Sequence, residues 1–119
     1  MKKITIYLLL FFIFSCVSSD RPRSPSSFSW GDKDFSIDLE KGYSTLDMCP
    51  LKLTLKNKNP KNYSSIYIEF TAYDGSKVNI GYTNFLVSIG ANETLKRESY
   101  ITKSCYYIYD IKLTKFTFR

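Results

Sequence analysis

The sequence contains no histidine, and that absence narrows the chemistry more than any residue present. No other side chain has an unperturbed pKa near neutrality, so general acid–base work would fall to a carboxylate or lysine with a shifted pKa. A Cys–His nucleophile pair is excluded for the same reason. Zinc would have to be held by cysteines and carboxylates alone, and these form no cluster at ligand spacing, so no metal is expected. The five glycines are scattered and build neither a phosphate-cradling loop nor a calcium-loop pattern. Asp32 and Asp34 flank Lys33, and Asp38 and Glu40 sit two apart on one side of a strand, where either pair can meet. Carboxylates in such places ordinarily form a solvated edge. The expectation is a protein that is not an enzyme, with no catalytic residue, no cofactor and no evident small-molecule substrate.

A run long enough to span a bilayer is also missing. Met1-Lys2-Lys3 is followed by an apolar run from Ile4 to Val17, broken only by Thr5, Tyr7, Ser15 and Cys16. At ~1.5 Å per helical residue the run reaches about 21 Å, short of the roughly 30 Å of hydrocarbon, and the pattern reads as an export signal. Two cuts fit the small residues at its end. One lies before Cys16, the other after Ser18. The segment Ile13-Phe14-Ser15-Cys16 resembles the lipobox of bacterial lipoproteins, with Phe14 where a small residue is usual. That resemblance implies a signal peptide over residues 1–15 and a lipid on Cys16, hence a chain anchored in a bacterial cell envelope, at the outer membrane or cell surface. A cut after Ser18 would instead give a soluble secreted or periplasmic protein, such as an inhibitor or immunity factor. Residues 17–29, VSSDRPRSPSSFS, hold six serines and two prolines and read as a flexible tether, so residues 16–30 are assigned to anchor and tether.

Cysteine is sparse, with three in the chain. If Cys16 is lipidated or removed, Cys49 and Cys105 remain as an even pair in a compartment where disulfides persist. A bridge across their 56-residue separation is one reading; two buried free thiols is the other. Losing Lys2 and Lys3 lowers the net charge from +6 to +4. Outside the cytoplasm that surplus points to solubility and to attraction toward anionic headgroups, and no nucleic-acid partner is expected.

The remaining segment, 31–119, is rich in residues that favour strands, and no part of it keeps a helical period for three turns. Phe35, Ile37 and Leu39 alternate with polar residues, as do Leu51, Leu53 and Leu55 before the loop Asn57–Asn62. Ile66–Tyr73 alternates into Asp74-Gly75, a strong hairpin pair. The return strand starts near Val78, and its apolar parity shifts after Gly81, which predicts a bulge or a change of sheet. Leu95–Ile101 is a weaker strand, and Tyr106–Phe118 reads as a long closing strand. About seven strands at this spacing predict an all-β fold, a small antiparallel β-sandwich or barrel.

Phe70-Thr71-Ala72-Tyr73-Asp74 resembles the signature of FxLYD-type domains, with Ala72 where the family has leucine. Leu53–Asn57 and Val87–Thr94 resemble the strand before that signature and the turn after it, so the resemblance covers roughly residues 51–95. It implies an immunoglobulin-like module of exported bacterial proteins used for binding or as an adaptor. The partner then expected is another envelope protein, together with the membrane through Cys16. Tyr67 and Tyr73 lie opposite the Ile66, Ile68 and Phe70 face, while Tyr107 and Tyr109 crowd the last strand. These four are the candidate binding surface, because exposed aromatics are enriched at interfaces.

Overall fold

The structure is a computed structural model that describes residues 25–119. The signal peptide over 1–15, Cys16 and most of the tether lie outside the described residues. Seven strands follow in order: β1 (Ser27–Gly31), β2 (Phe35–Lys41), β3 (Cys49–Asn57), β4 (Tyr63–Tyr73), β5 (Asn79–Ile89), β6 (Thr94–Ile101) and β7 (Asp110–Phe118). Every pairing is antiparallel. A four-stranded sheet runs β1-β2-β3-β6 and a three-stranded sheet runs β5-β4-β7. The fold is the expected all-β sandwich, with no α-helix among the described residues.

Alternation builds the core. The inward sides of β2 (Phe35, Ile37, Leu39), β3 (Cys49, Leu51, Leu53, Leu55) and β4 (Ile66, Ile68, Phe70, Ala72) are all buried, and they meet Phe85, Val87 and Ile89 of β5. A side-chain period of two places every other residue of each strand in one layer, so hydrophobic burial and strand register enforce each other. Cys49 and Cys105 are joined by a disulfide, with Cα atoms 4.7 Å apart. It ties β3, in one sheet, to the turn leading into β7, in the other.

The bulge expected near Gly81 is present. Ala72 opposes Gly81 and Tyr73 opposes Asn79, which leaves Ile80 as the extra residue. Gly81 has φ 155°, and a Cβ there would lie 2.9 Å from Ile101 Cγ2. The bulge restores parity so that Thr83, Phe85, Val87 and Ile89 all point inward. The Asp74-Gly75 hairpin also forms, but its loop covers residues 74–78, and Lys77 rather than Gly75 takes the left-handed conformation, φ 66°. Asp74 Oδ1 accepts from the backbone N–H groups of Ser76 and Val78 and stiffens the wider loop.

Two expectations are corrected. Residues 27–30 belong to a strand and not to the flexible tether. Phe28 and Trp30 turn their rings toward the core, Trp30 packs 5.1 Å from Phe70 between ring centroids, and β1 pairs with β2 over its whole length. The long closing strand is broken: Cys105–Tyr107 forms a 3-10 turn and pairing with β4 starts at Asp110. The disulfide and a hydrogen bond from Cys105 N to Ser44 Oγ hold the chain away from the sheet at that point.

The two ends of the sandwich differ in character. At one end, Asp32–Asp34, Lys58–Asn62 and Gly90–Glu93 interlock through polar groups. Asn57, fully buried, donates to the carbonyls of Lys61 and Gly90, and its Oδ1 accepts from Asn59 N. At the other, disulfide end, residues 42–48, 74–78 and 102–109 form three loops.

Candidate functional site

The outer side of the three-stranded sheet carries two of the four expected tyrosines. Tyr67 and Tyr73 stand on β4, the central strand, with their rings outside the core. Long cations lie over both rings: Lys115 Nζ is 5.7 Å from the Tyr67 centroid and Lys112 Nζ is 5.1 Å from that of Tyr73. Such contacts contribute about 0.5–1 kcal/mol at exposed positions and fix the aliphatic stems against the sheet. The Tyr67 hydroxyl donates to Glu69 Oε1 at 2.8 Å, and that hydrogen bond pushes its pKa above the ordinary tyrosine value. Glu69 is further engaged by the Thr114 hydroxyl.

Sequence reasoning missed the more exposed half of this face. Tyr82 opposes Thr71 and Leu86 opposes Tyr67, and they are 64% and 72% exposed. The signal lies in the alternation of Thr83, Phe85, Val87 and Ile89, which places the even-numbered residues of β5 outside once the bulge is recognised. The outer face thus combines two exposed apolar side chains, two tyrosines and two lysines with the carboxylates of Glu69 and Asp110. That composition suits contact with a protein surface, where aromatic anchors carry much of the binding energy.

Tyr107 and Tyr109 are not on this face. Tyr109 is half-buried, its ring lies beneath Gly75, and its backbone N–H donates to Tyr73 O at 2.9 Å. It supports the hairpin loop. Tyr107 is exposed at the disulfide end and lines a cleft of about 380 Å³ with Leu46, Asp47, Asp74, Ile80 and Lys103. Tyr106 stacks edge-on against it at 5.3 Å.

No protein-family model matches the chain, and no curated protein does. Among solved structures, the chain is similar to the crystal structure of a DUF1425 family member from Shewanella sp. pv-4, with 13% sequence identity and a TM-score of 0.43 over 82% of this chain and 93% of that one.

Of the carboxylate pairs noted in the sequence, Asp32 and Asp38 have local structural roles. Asp32 Oδ1 accepts from the N–H groups of Asp34 and Phe35, and these bonds lower its pKa. Lys58 Nζ donates to the Asp32 carbonyl. Asp38 accepts from Ser29 Oγ across the β1–β2 ladder at 2.6 Å, while Glu40 is exposed. Among the described residues no helix is long and apolar enough to cross a membrane.

The edges of the sandwich differ as well. β6 carries Arg97 at a position of inward parity, opposite Leu53, where a charge discourages edge-to-edge pairing. Between the outer strands β1 and β7 runs an open groove lined by Trp30, Phe35, Ile37, Leu113 and Phe116.

Proposed function

We propose that this protein is a lipid-anchored bacterial cell-envelope protein whose β-sandwich is a non-catalytic binding module. Cys16 carries the lipid, the residues after it act as a tether, and the outer face of the β5-β4-β7 sheet binds another envelope protein. The observation that carries the binding role is the pair Tyr82 and Leu86, exposed side by side with Tyr67 and Tyr73 on one rigid sheet. Large apolar side chains spread over a sheet face lose little conformational entropy on docking, because their backbone is already fixed. The export pattern, the lipobox-like segment and the odd cysteine support the anchoring role. With two or more acyl chains, each buried methylene contributing about 0.8 kcal/mol, such an anchor holds the protein firmly.

Photo-crosslinking in cells of the source organism tests the binding role. A crosslinker at Leu86 is expected to form a defined protein adduct that is lost with Tyr67→Asp, while one at Lys52, on the outer side of the other sheet, forms none. Equal adducts from both sites, or none from Leu86, would show that the face is not an interface. Intact mass of the mature protein tests the anchor. A lipid-sized increment that disappears in Cys16→Ala is expected; a mature chain beginning at Ser19 would instead make the protein a soluble exported one.

A further inference from the structure

The two poles of the sandwich are chemically opposite, and the chain enters at the apolar one. Ser27 opposes Glu40 across the β1–β2 ladder, and Lys41 N donates to Ser26 O at 2.8 Å, so the tether joins the domain beside Gly42 and Tyr43. Tyr43 and Leu46, in the loop that follows, are each 95% exposed, higher than the other large apolar side chains of the described residues. Val78 of the hairpin loop and Tyr106 and Tyr107 of the last loop add three more exposed apolar or aromatic groups. Burial does not account for any of the five.

These loops are not free to fold back. The disulfide, the Cys105 N to Ser44 Oγ bond at 2.9 Å and the contact between Ser44 Oγ and Ser104 Oγ at 3.2 Å pin residues 42–48 to residues 102–107. Lys77 and Lys103 are exposed among the apolar groups, with Asp47 and Asp74 lining the cleft between the loops. The opposite pole presents lysines, asparagines and acidic residues. Its exposed aromatic ring, Phe118, packs against Phe35 and Tyr63.

We infer that the disulfide pole is a membrane-docking surface, in which Tyr43, Leu46, Val78, Tyr106 and Tyr107 rest in the headgroup region of the bilayer that holds the anchor. This rests on the lipid-anchored reading and deepens it. Ser26 lies ten positions after Cys16, a distance along the chain that reaches at most about 35 Å. The pole that receives the tether is therefore the part of the domain kept nearest the lipid. Tyrosine is favoured at the membrane interface, where its ring is shielded and its hydroxyl stays wet, and Lys77 and Lys103 match lipid phosphates. Docked this way, the strands stand away from the membrane, and the outer face with Tyr82 and Leu86 stays open to a partner alongside.

The test uses the full lipidated chain reconstituted into vesicles of phosphatidylethanolamine and phosphatidylglycerol with dibrominated acyl chains. In a Trp30→Phe background, one variant carries Leu46→Trp at the disulfide pole and another Lys61→Trp at the polar end. Bromine quenching severalfold stronger for Leu46→Trp than for Lys61→Trp is expected. Equal or absent quenching, in protein whose mass shows the lipid on Cys16, overturns the docking surface and leaves the anchor standing. A blue shift at Leu46→Trp without quenching also overturns it, because the pole is then covered by protein. A mass without lipid removes the anchored reading and the docking with it. Should Trp30→Phe fail to fold, amide exchange on the unsubstituted chain serves instead. Slower exchange at residues 43–48 and 103–107 in vesicles than in Cys16→Ala in buffer supports docking, and unchanged exchange overturns it.

Discussion

Lys41, at the end of β2, reaches across to the last turn before β7 and donates to the Ile108 carbonyl at 2.6 Å and the Cys105 carbonyl at 3.2 Å. The two acceptors belong to the 3-10 turn and the residue that caps it, so one ammonium holds the segment that delivers Cys105 to the disulfide. Burial lowers the pKa of this group to about 8.

The pH dependence follows from that direction. Because the folded pKa lies below the unfolded value of roughly 10.4, the unfolded chain binds more protons between the two. The burial penalty is complete below pH 8 and is relieved as pH rises through the window to about 10.4. Urea denaturation from pH 7 upward should show the stability of the parent protein rising relative to Lys41→Met across that window. A constant difference would mean that Lys41 does not titrate there.

Gly81→Ala should destabilise the sandwich by about 1–3 kcal/mol, the usual range for overpacking and strained backbone. Its added Cβ meets Ile101 Cγ2 at 2.9 Å while φ stays at 155°. A second substitution, Ile101→Leu, moves the branch from Cβ to Cγ and so removes the Cγ2 contact at nearly constant volume, without correcting the backbone. Denaturation midpoints of the single and double variants should show the pair recovering only part of the loss.

Asn57→Ala should cost about 2–4 kcal/mol, because it strips partners from buried backbone groups at three points of the polar end. The Lys61 and Gly90 carbonyls lose their donor and Asn59 N loses its acceptor. Asn57→Asp retains the acceptor alone and buries a charge, so it should be no more stable than the alanine variant. Equilibrium unfolding monitored by the fluorescence of Trp30 provides the readout.

Replacing both Cys49 and Cys105 with alanine should lower stability by about 4 kcal/mol, the entropy released when a 56-residue crosslink is removed from the unfolded chain. Reductant should shift the denaturation midpoint of the parent protein and leave that of the double variant unchanged. The effect should concentrate at the disulfide pole, where amide exchange in residues 42–48 and 102–107 is expected to quicken more than in the core of β4.

Most of the fold is legible in strand alternation. Phe35–Leu39, Leu51–Leu55 and Ile66–Tyr73 each declare a buried side, since a period of two permits one arrangement with the apolar residues inside. The parity shift after Gly81 marks the bulge, and the even cysteine pair points to a bridge. β1 is not legible in this way, because two aromatic residues in a serine-rich stretch make a strand only when β2 supplies the ladder. Nor is the break at Cys105–Tyr107, since the disulfide and Ser44 that enforce it come from residues about sixty positions away.

The candidate surfaces divide along the same line. Local periodicity is enough to set Tyr67 and Tyr73 outside the core, because it depends only on which residues alternate along one strand. Whether Tyr107 and Tyr109 join them depends on where separate loops meet, and the folded chain sends one to the apolar pole and the other beneath Gly75. Spacing along the chain alone establishes the sheet class and the buried sides, while the bond between Cys49 and Cys105 is decided by the fold that brings them together. That Tyr43 and Leu46 share a pole with the incoming tether, and that Tyr82 and Leu86 flank Tyr67, is settled only by the three-dimensional fold. Those are relations between strands and loops distant in sequence, brought together when the two sheets close over a common core.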